Sequence, residues 1–297
     1  MEKVETWIAC GAVGTFACAT GVALDRSLGT GPVLTATGVT AAAAYLTGTF
    51  APRSRVFGRP ASPRRDGGRF ALTFDDGPDP RFTEQISAIV AERGHAATFF
   101  VLGRAARSHP EVVARVVADG HEIGNHGYDH RLLALTPPRM IRAQLADTED
   151  AIRCATGRPP APLFRPPHGA RSPWLRAVVG QLGYQLCAWD GSVFDTALPG
   201  HRVIIQRVRS LLAPGAVILL HDGDGTGRGA SRAQTVEALP AILDAAESRG
   251  LRSVQLGRMI SGDPHDRLLE RVGNPGVDDR AHSQKIASRN ACESSRC

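Results

Sequence analysis

The chain has 297 residues, with 35 Lys and Arg against 29 Asp and Glu and a formal net charge of +6 at pH 7. Hydrophobic residues make up 42% and charged residues 22% of the sequence, which excludes global disorder and supports a sizeable core. The length suits one large α/β domain, because a β/α barrel takes about 250 residues. The six cysteines show no disulfide-framework spacing and leave the redox compartment open.

The positive charge is concentrated in one short segment. Residues 51–70 hold six arginines and one aspartate, whereas 71–262 carry a net charge of only +2. A nucleic-acid-binding domain carries its basic residues as a patch or stripe on the domain itself. The charge distribution therefore excludes a nucleic-acid partner.

Two uncharged runs, 7–24 and 31–50, precede the basic segment. Each approaches the length of a membrane span, although both are rich in Ala, Gly and Thr. We expect one or two transmembrane helices within 1–50, because the amino terminus lacks the positively charged region of a signal peptide. Residues 51–68 are then a Pro/Gly/Arg linker beside the membrane, and 263–297 form a polar tail that we expect to be disordered.

Between these ends, strand and helix patterns alternate along the chain. The predicted strands are 69–74, 97–102, 121–124, 163–165, 184–189, 216–220 and 251–256. The predicted helices begin at Thr83, Pro110, Pro137, Pro173, Arg202 and Arg232. This alternation predicts an α/β domain with a parallel sheet or barrel over 69–262. Reactive side chains follow several strands, and in a barrel all of these strand ends meet on one face.

One cluster of these side chains has the composition of a metal site. Asp76, His126 and His130 offer a carboxylate and two imidazoles, which suit Zn²⁺, Fe²⁺ or Co²⁺ with open coordination positions. Asp75 lies beside Asp76, and two adjacent carboxylates repel each other unless a cation or an arginine is near. A bound metal would lower the pKa of its water toward ~7.

Other strand ends offer acid, base and positioning groups. Asp75 is a candidate general base that Arg165 can hold ionised, although Arg165 can equally form a structural ion pair. His221 is a candidate general acid for a leaving amine, with Asp195 or Asp222 to hold its ring.

An apolar pocket for an acyl methyl group is the third expectation. The side chains of Leu219 and Trp189 are its candidate walls, although each taken singly fits core packing as well.

At this point five motifs match a known family. They are Thr73-Phe-Asp-Asp-Gly-Pro, Asn125-His-Gly-Tyr-Asp-His, Arg165-Pro-Pro-His-Gly, Trp189-Asp with Asp195, and Leu219-Leu-His-Asp. Their order resembles that of the NodB-type polysaccharide deacetylases, carbohydrate esterase family four. The resemblance covers roughly 69–257.

The resemblance implies a distorted (β/α)7 TIM-like barrel with a divalent metal, usually zinc, that hydrolyses the N-acetyl groups of N-acetylhexosamine polymers. It also implies roles for residues of this chain: Asp75 as catalytic base, Asp76, His126 and His130 as metal ligands, Arg165 as the residue that orients the base, His168 as the position whose backbone N–H holds the oxyanion, His221 as acid with Asp195 tuning it, and Leu219 as a wall of the acetate pocket.

Four positions depart from the family pattern. His168 stands where Tyr or Phe is common, and Thr196 where the family has Trp. Gly127 replaces a common Ser or Thr, and Arg131 a common Pro. The base, acid and ligand positions are intact, so these departures concern substrate preference more than activity.

The sequence therefore predicts a metal-dependent hydrolase that removes N-acetyl groups from an N-acetylglucosamine-type polysaccharide, such as peptidoglycan or a chitin-like glycan. The alternative substrate is a small, lipid-linked or secondary-metabolite amino sugar. A catalytically silent carbohydrate-binding protein is disfavoured, because such proteins lose the base or the ligands. The basic flank favours a cytoplasmic domain by the positive-inside rule, whereas the family's substrates favour the outside. We expect a membrane-anchored protein with its catalytic domain outside the cytoplasm.

Overall fold

The computed structural model describes residues 32–51, 54–57, 60–61, 63 and 67–261. The strands in these ranges are β1 Arg69–Asp75, β2 Ala97–Val101, β3 Glu122–Asn125, β4 Leu163–Phe164, β5 Gln185–Leu186, β6 Gly191–Ser192, β7 Val217–His221 and β8 Arg252–Ser253. The α-helices are α1 Pro32–Phe50, α2 Thr83–Glu92, α3 Gly103–Ser108, α4 Pro110–Ala118, α5 Pro138–Thr156, α6 Pro173–Gln181, α7 His201–Leu211, α8 Ala233–Glu247 and α9 Leu256–Ser261. Short 3₁₀ turns lie at Leu133–Leu135, Pro167–Gly169 and Asp195–Ala197.

The strands form one parallel sheet in the order β5-β4-β3-β2-β1-β7-β6, and β8 pairs with the start of β1. Among the described residues β5 and β6 lie at opposite ends of this order, so the sheet curls into a half-barrel with an open seam between them. The prediction of an α/β fold with a parallel barrel-type sheet is confirmed.

Apolar side chains pack the helices onto the sheet and the central strands onto each other. The rings of Phe74 on β1 and Phe99 on β2 stack with their centroids 5.0 Å apart. Ile86 of α2 and Ile242 of α8 belong to the same fully buried cluster. Strand β1 is buried along nearly its whole length, as expected for a central parallel strand covered on both faces.

Two predicted strands differ from the observed elements. The strand predicted over 184–189 ends at Leu186, and a second short strand follows at Gly191, because Asp190 pairs with β7. Its backbone N–H donates to Val217 O at 2.8 Å and its Oδ2 accepts from Val217 N at 2.7 Å. The strand predicted over 251–256 is reduced to β8, and α9 begins at Leu256.

Helix α3 is absent from the sequence prediction. Its six residues are Gly103-Arg-Ala-Ala-Arg-Ser. So short a helix gives no apolar periodicity to detect.

The amino-terminal predictions are only partly within the described residues. Helix α1 occupies the second uncharged run, but no helix in the described part of the chain is long and apolar enough to cross a membrane. Five threonines and two glycines among its 19 residues lower its hydropathy. The transmembrane helix predicted over 31–50 therefore finds no support here. The run 7–24, most of 51–68 and the tail 263–297 lie outside the described residues.

We expect Phe99→Ala to lower the free energy of unfolding by about 3–5 kcal/mol, because it leaves a cavity against Phe74 in the buried cluster. Phe99→Leu keeps most of the apolar volume, so its cost is expected to be well below that of the alanine variant. Urea denaturation of both variants measures the difference. Equal losses in the two variants would contradict this account of the core.

Candidate active site

Strand register brings the chemically reactive residues to one edge of the sheet. Asp75 at the end of β1 lies level with His221 at the end of β7 and with Phe100 on β2. On the other side, Val101 pairs with Asn125, which directly precedes His126. The end of β1 is thus the meeting point that the alternating pattern predicts.

Asp76, His126 and His130 form a compact cluster at this edge. Asp76 Oδ1 lies 3.2 Å from His126 Nε2 and 3.0 Å from His130 Nε2. One potential ligand atom from each of the three residues lies within 4.8 Å of the other two. Burial by itself would raise the pKa of Asp76, but His130 and His126 hold it well below its usual value. Asp76 in turn raises the pKa of His130 against the effect of burial.

The donor geometry of the cluster fits a cation. His126 Nδ1 lies 2.8 Å from the carbonyl oxygen of Arg165, which can only accept, so Nδ1 carries the proton and Nε2 turns a lone pair toward Asp76. Asp76 Oδ1 is buried and has no hydrogen-bond partner within the described residues. The Asp76 oxygen and the His126 lone pair converge on one point, and this arrangement suits a divalent metal ion. One carboxylate and two imidazoles leave positions open for water and substrate.

Backbone strain is concentrated around this cluster. Asp76, His130 and His168 all adopt positive φ, at 76°, 63° and 60°. Non-glycine residues rarely adopt this region, and such strain persists where the surrounding structure enforces it. Two further cases, Phe194 and Leu198, bracket the turn that carries Asp195.

The predicted base and its arginine are in direct contact. Arg165 Nη1 donates to Asp75 Oδ1 at 2.7 Å and to Thr73 Oγ1 at 2.8 Å. The Arg165 side chain is completely buried, with its guanidinium 4.1 Å above the ring centroid of Phe100 and 5.6 Å from that of Trp189. This arrangement gives the Asp75 carboxylate a charged partner and fixes its direction.

The predicted acid is held by Asp195. His221 Nδ1 lies 2.8 Å from Asp195 Oδ1, and the His221 backbone N–H donates to Asp195 Oδ2 at 2.9 Å. Burial would lower the pKa of His221, but Asp195 and the nearby Asp76 and Asp75 raise it to about 9. Thr235 Oγ1 also donates to Asp195, at 3.0 Å. His221 is therefore an imidazolium near neutral pH.

Asp222, the other predicted partner of His221, is bound to Thr83 instead. It accepts a 2.6 Å hydrogen bond from Thr83 Oγ1 and packs against Gly77, where a Cβ would lie 2.0 Å from Asp222 Oδ2. Burial raises the pKa of Asp222 to about 7. Of the two alternatives, the structure brings only Asp195 to the histidine.

The three predicted substrate-binding residues lie around the same edge. Leu219 is 4% exposed and lies level with Thr73 of β1, two residues before His221. The Trp189 ring packs on Gly169, where a Cβ would meet it at 2.4 Å. The His168 ring lies 4.4 Å from that of His130.

The loop after β7 is a part of the site that sequence reasoning missed. A Cβ on Gly225 would lie 3.0 Å from Asp76 Oδ2 and from His130 Nδ1, so this loop covers two of the predicted ligands. It also lines a cavity of about 380 Å³ beside Asp76, together with Arg81 and Arg104. The dense run of glycines at 223–229 was the available signal.

We expect Asp195→Asn to lower the pKa of His221 from about 9 toward the ordinary value near 6.5, because the raising charge is removed while burial remains. Titration of the imidazole signals by NMR measures the shift. Thr235→Val removes only one hydrogen bond to Asp195 and is expected to shift the pKa less. An unchanged pKa in the asparagine variant would exclude Asp195 as its source.

We expect Asp76→Ala to weaken zinc binding by more than the ~10- to 100-fold that loss of an outer-shell partner causes, since a direct ligand is lost. Asp75→Asn should leave zinc binding largely intact, because Asp75 Oδ1 is committed to Arg165. Competition of each variant with a chromophoric chelator measures the affinity. Equal zinc affinity of Asp76→Ala and the parent would contradict the ligand assignment.

Comparisons with known proteins agree with this geometry. The sequence profile of the family described as polysaccharide deacetylase matches residues 63–187. A chitooligosaccharide deacetylase from Sinorhizobium fredii is 35% identical over 184 residues, which cover 60% of this chain and 86% of the relative. A peptidoglycan-N-acetylglucosamine deacetylase from Bacillus cereus is 33% identical over 192 residues, covering 64% and 87% of the two chains.

A solved structure shows the same fold. The family 4 carbohydrate esterase from Streptomyces lividans, in complex with acetate, superposes with a TM-score of 0.57 at 32% identity, covering 63% of this chain and 92% of its own. This similarity agrees with the chemistry found at one edge of the sheet. That edge holds the carboxylate bound by Arg165, the Asp-His-His cluster and the Asp-His pair. The chain belongs to the polysaccharide deacetylase family, the NodB-type enzymes of carbohydrate esterase family four.

Proposed function

We propose that this polysaccharide deacetylase is a metal-dependent hydrolase that removes N-acetyl groups from N-acetylglucosamine-type glycans, either peptidoglycan or a chitin-like chain. The observation that carries the proposal is the meeting of three units where β1 and β7 end: a carboxylate clamped by a buried arginine, an Asp-His-His cluster, and a histidine bound to a carboxylate. The names of the relatives, which are chitooligosaccharide and peptidoglycan deacetylases, support the same substrate class.

The Asp-His-His cluster fits a divalent ion, and zinc is our proposal because it favours imidazole and carboxylate ligands in an open site. When bound there, the ion supplies a Lewis acid and lowers the pKa of water toward ~7. Asp75 then accepts a proton from the attacking water. Arg165 orients that carboxylate, because its own position is fixed by burial and by Thr73.

His221 completes the reaction as the acid. Water oxygen bonds to the carbonyl carbon, the C–N bond of the amide breaks, and His221 donates a proton to the leaving nitrogen, so that acetate and a free amine result. A pKa of about 9 keeps His221 protonated until that step. The backbone N–H of His168 is our candidate donor to the oxyanion. Leu219 and Trp189 would hold the acetyl methyl group.

A second candidate substrate is a lipid-linked amino sugar. Phe194 and Leu198 flank Asp195 and are 54% and 45% exposed, so an apolar surface lies next to the proposed acid. A substrate with a lipid portion would cover such a surface.

We also propose that residues 1–50 attach the protein to a membrane, with the catalytic domain outside the cytoplasm. Two uncharged runs and a segment of +5 charge support attachment, and the proposed glycans lie outside. Protease added to intact cells should then degrade the catalytic domain. Full protection of the domain until the cells are lysed would place it in the cytoplasm instead.

We expect the protein to release acetate from N-acetylchitooligosaccharides or peptidoglycan fragments, and we expect a chelator to abolish the release and added zinc to restore it. Asp75→Asn should reduce kcat by at least about 100-fold, since general-base catalysis contributes ~10²–10⁴. Acetate is measured by an enzyme-coupled assay.

Asp150→Asn is the matched control, because it makes the same chemical change at an exposed position of α5. Its activity should equal that of the parent. Release from a lipid-linked amino sugar alone would favour the second candidate substrate. Full activity of Asp75→Asn would refute the assignment of the base, and chelator-insensitive release would refute the metal.

A further inference from the structure

The chain just before the barrel folds back on itself and packs against the catalytic domain. The Tyr45 ring near the end of α1 contacts that of Phe57 edge-on, at 5.2 Å between centroids. Gly48 is buried between them, where a Cβ would lie 2.8 Å from the Phe57 ring. We call the described residues of 45–61 the amino-terminal strap.

One arginine of the catalytic domain holds the strap. The Arg171 backbone N–H donates to Thr49 O at 3.0 Å, its Nη1 donates to Ser54 O at 3.1 Å, and its Nη2 donates to Ala51 O. Arg171 is only 2% exposed, so it is among the largest fully buried side chains of the described structure. A buried guanidinium is costly without such partners. Its charge also lies at the carboxyl end of α1, where a cation is favourable.

The other end of the strap enters the open seam of the barrel. Ala61 donates its N–H to Leu186 O at 2.8 Å and forms a parallel bridge with Cys187, directly beyond β5. It packs against the buried cluster that includes Leu163 and Cys187. The strap therefore covers the exposed edge that β5 would otherwise present.

The strap is anchored beside the turn that carries His168. The 3₁₀ turn Pro167–Gly169 ends two residues before Arg171, and α1 contacts this turn. His168 has a φ of 60°, a strained conformation that persists only where its surroundings enforce it. On its other side the turn is fixed by the Trp189 ring on Gly169. Arg171 and the strap add contacts next to this turn, through the Arg171 N–H to Thr49 O and through α1.

We propose that the strap is part of the catalytic unit and that Arg171 is a positioning residue, which fixes the Pro167–Gly169 turn by anchoring the strap against it. The family match begins at residue 63, so the strap lies upstream of the conserved domain. The catalytic consequence rests on the proposed deacetylation, whereas the mechanical coupling of strap and turn does not.

Three variants of the full-length chain test the proposal. Arg171→Met removes the guanidinium donors at similar length, and Arg171→Lys keeps the charge and some of the donors. Arg249→Met is the matched control, because Arg249 also donates to two backbone carbonyls, Arg209 O and Leu212 O, between α7 and α8.

In Arg171→Met, we expect amide hydrogen exchange to accelerate in 49–61 and in 166–171 together, while zinc affinity stays unchanged. We expect kcat to fall by about ten- to a hundredfold with a much smaller change in KM, since the turn acts on the reacting group and not on the glycan chain. Arg171→Lys should recover part of both effects. Arg249→Met should change exchange in neither segment.

Several results would overturn the proposal. Faster exchange in the strap with unchanged exchange in 166–171 would show that the two are uncoupled. Faster exchange in both with an unchanged kcat would show that catalysis does not depend on the support that the strap gives the turn. If Arg171→Met fails to fold, Ala61→Pro removes the N–H donor to Leu186 O, and Ala61→Ser, which keeps this donor, is its control. The same measurements on these two variants then decide.

Failure of the proposed function gives a different result. A parent protein that releases no acetate from any glycan would refute deacetylation, yet hydrogen exchange in 166–171 would still show whether strap and turn are coupled.

Discussion

The ion pair between Arg165 and Asp75 is the constraint on which the site depends. A completely buried guanidinium is tolerated only with charged and hydrogen-bonding partners, and here Asp75, Thr73 and two aromatic rings supply them. The backbone carbonyl oxygen of Arg165 also accepts a hydrogen bond from His126 Nδ1. This bond selects the His126 tautomer whose Nε2 presents a lone pair to Asp76. One residue at the end of β4 thus orients the proposed base through its side chain and a proposed metal ligand through its backbone.

Carboxylates and imidazoles lie next to each other in the site, and each stabilises the charged form of its neighbour. Asp76 stays ionised between two histidines, while Asp195 keeps His221 protonated to a pKa of about 9. An ionised carboxylate for the proposed metal site and a protonated acid can therefore coexist at the same pH. Asp222 differs from both, because burial raises its pKa to about 7 and its hydrogen-bond partner is Thr83 at the start of α2.

The sequence was sufficient to predict features whose signal is local. Apolar runs that end in Asp75 and His221 predicted parallel strands with reactive residues at one edge, and the register confirms that these two lie side by side. It was insufficient where the deciding contacts are distant. Arg171 binds backbone carbonyls 117 and 120 residues away, and any residue type can supply a carbonyl. The division of the strand over 184–189 likewise depends on Asp190 pairing with β7, which no local pattern reveals.

The open seam explains why the strap and the site are neighbours. β5 and β6 are the two ends of the strand order, so the edge beyond β5 stays available for pairing. The strap occupies this edge at Ala61, and its other end reaches the loop that follows β4. That loop carries Arg165, His168 and Arg171 within seven residues. The strap that covers the edge of β5 therefore also contacts the loop whose Arg165 orients Asp75. Part of the arginine-rich segment 51–70 thus belongs to the fold of the catalytic domain.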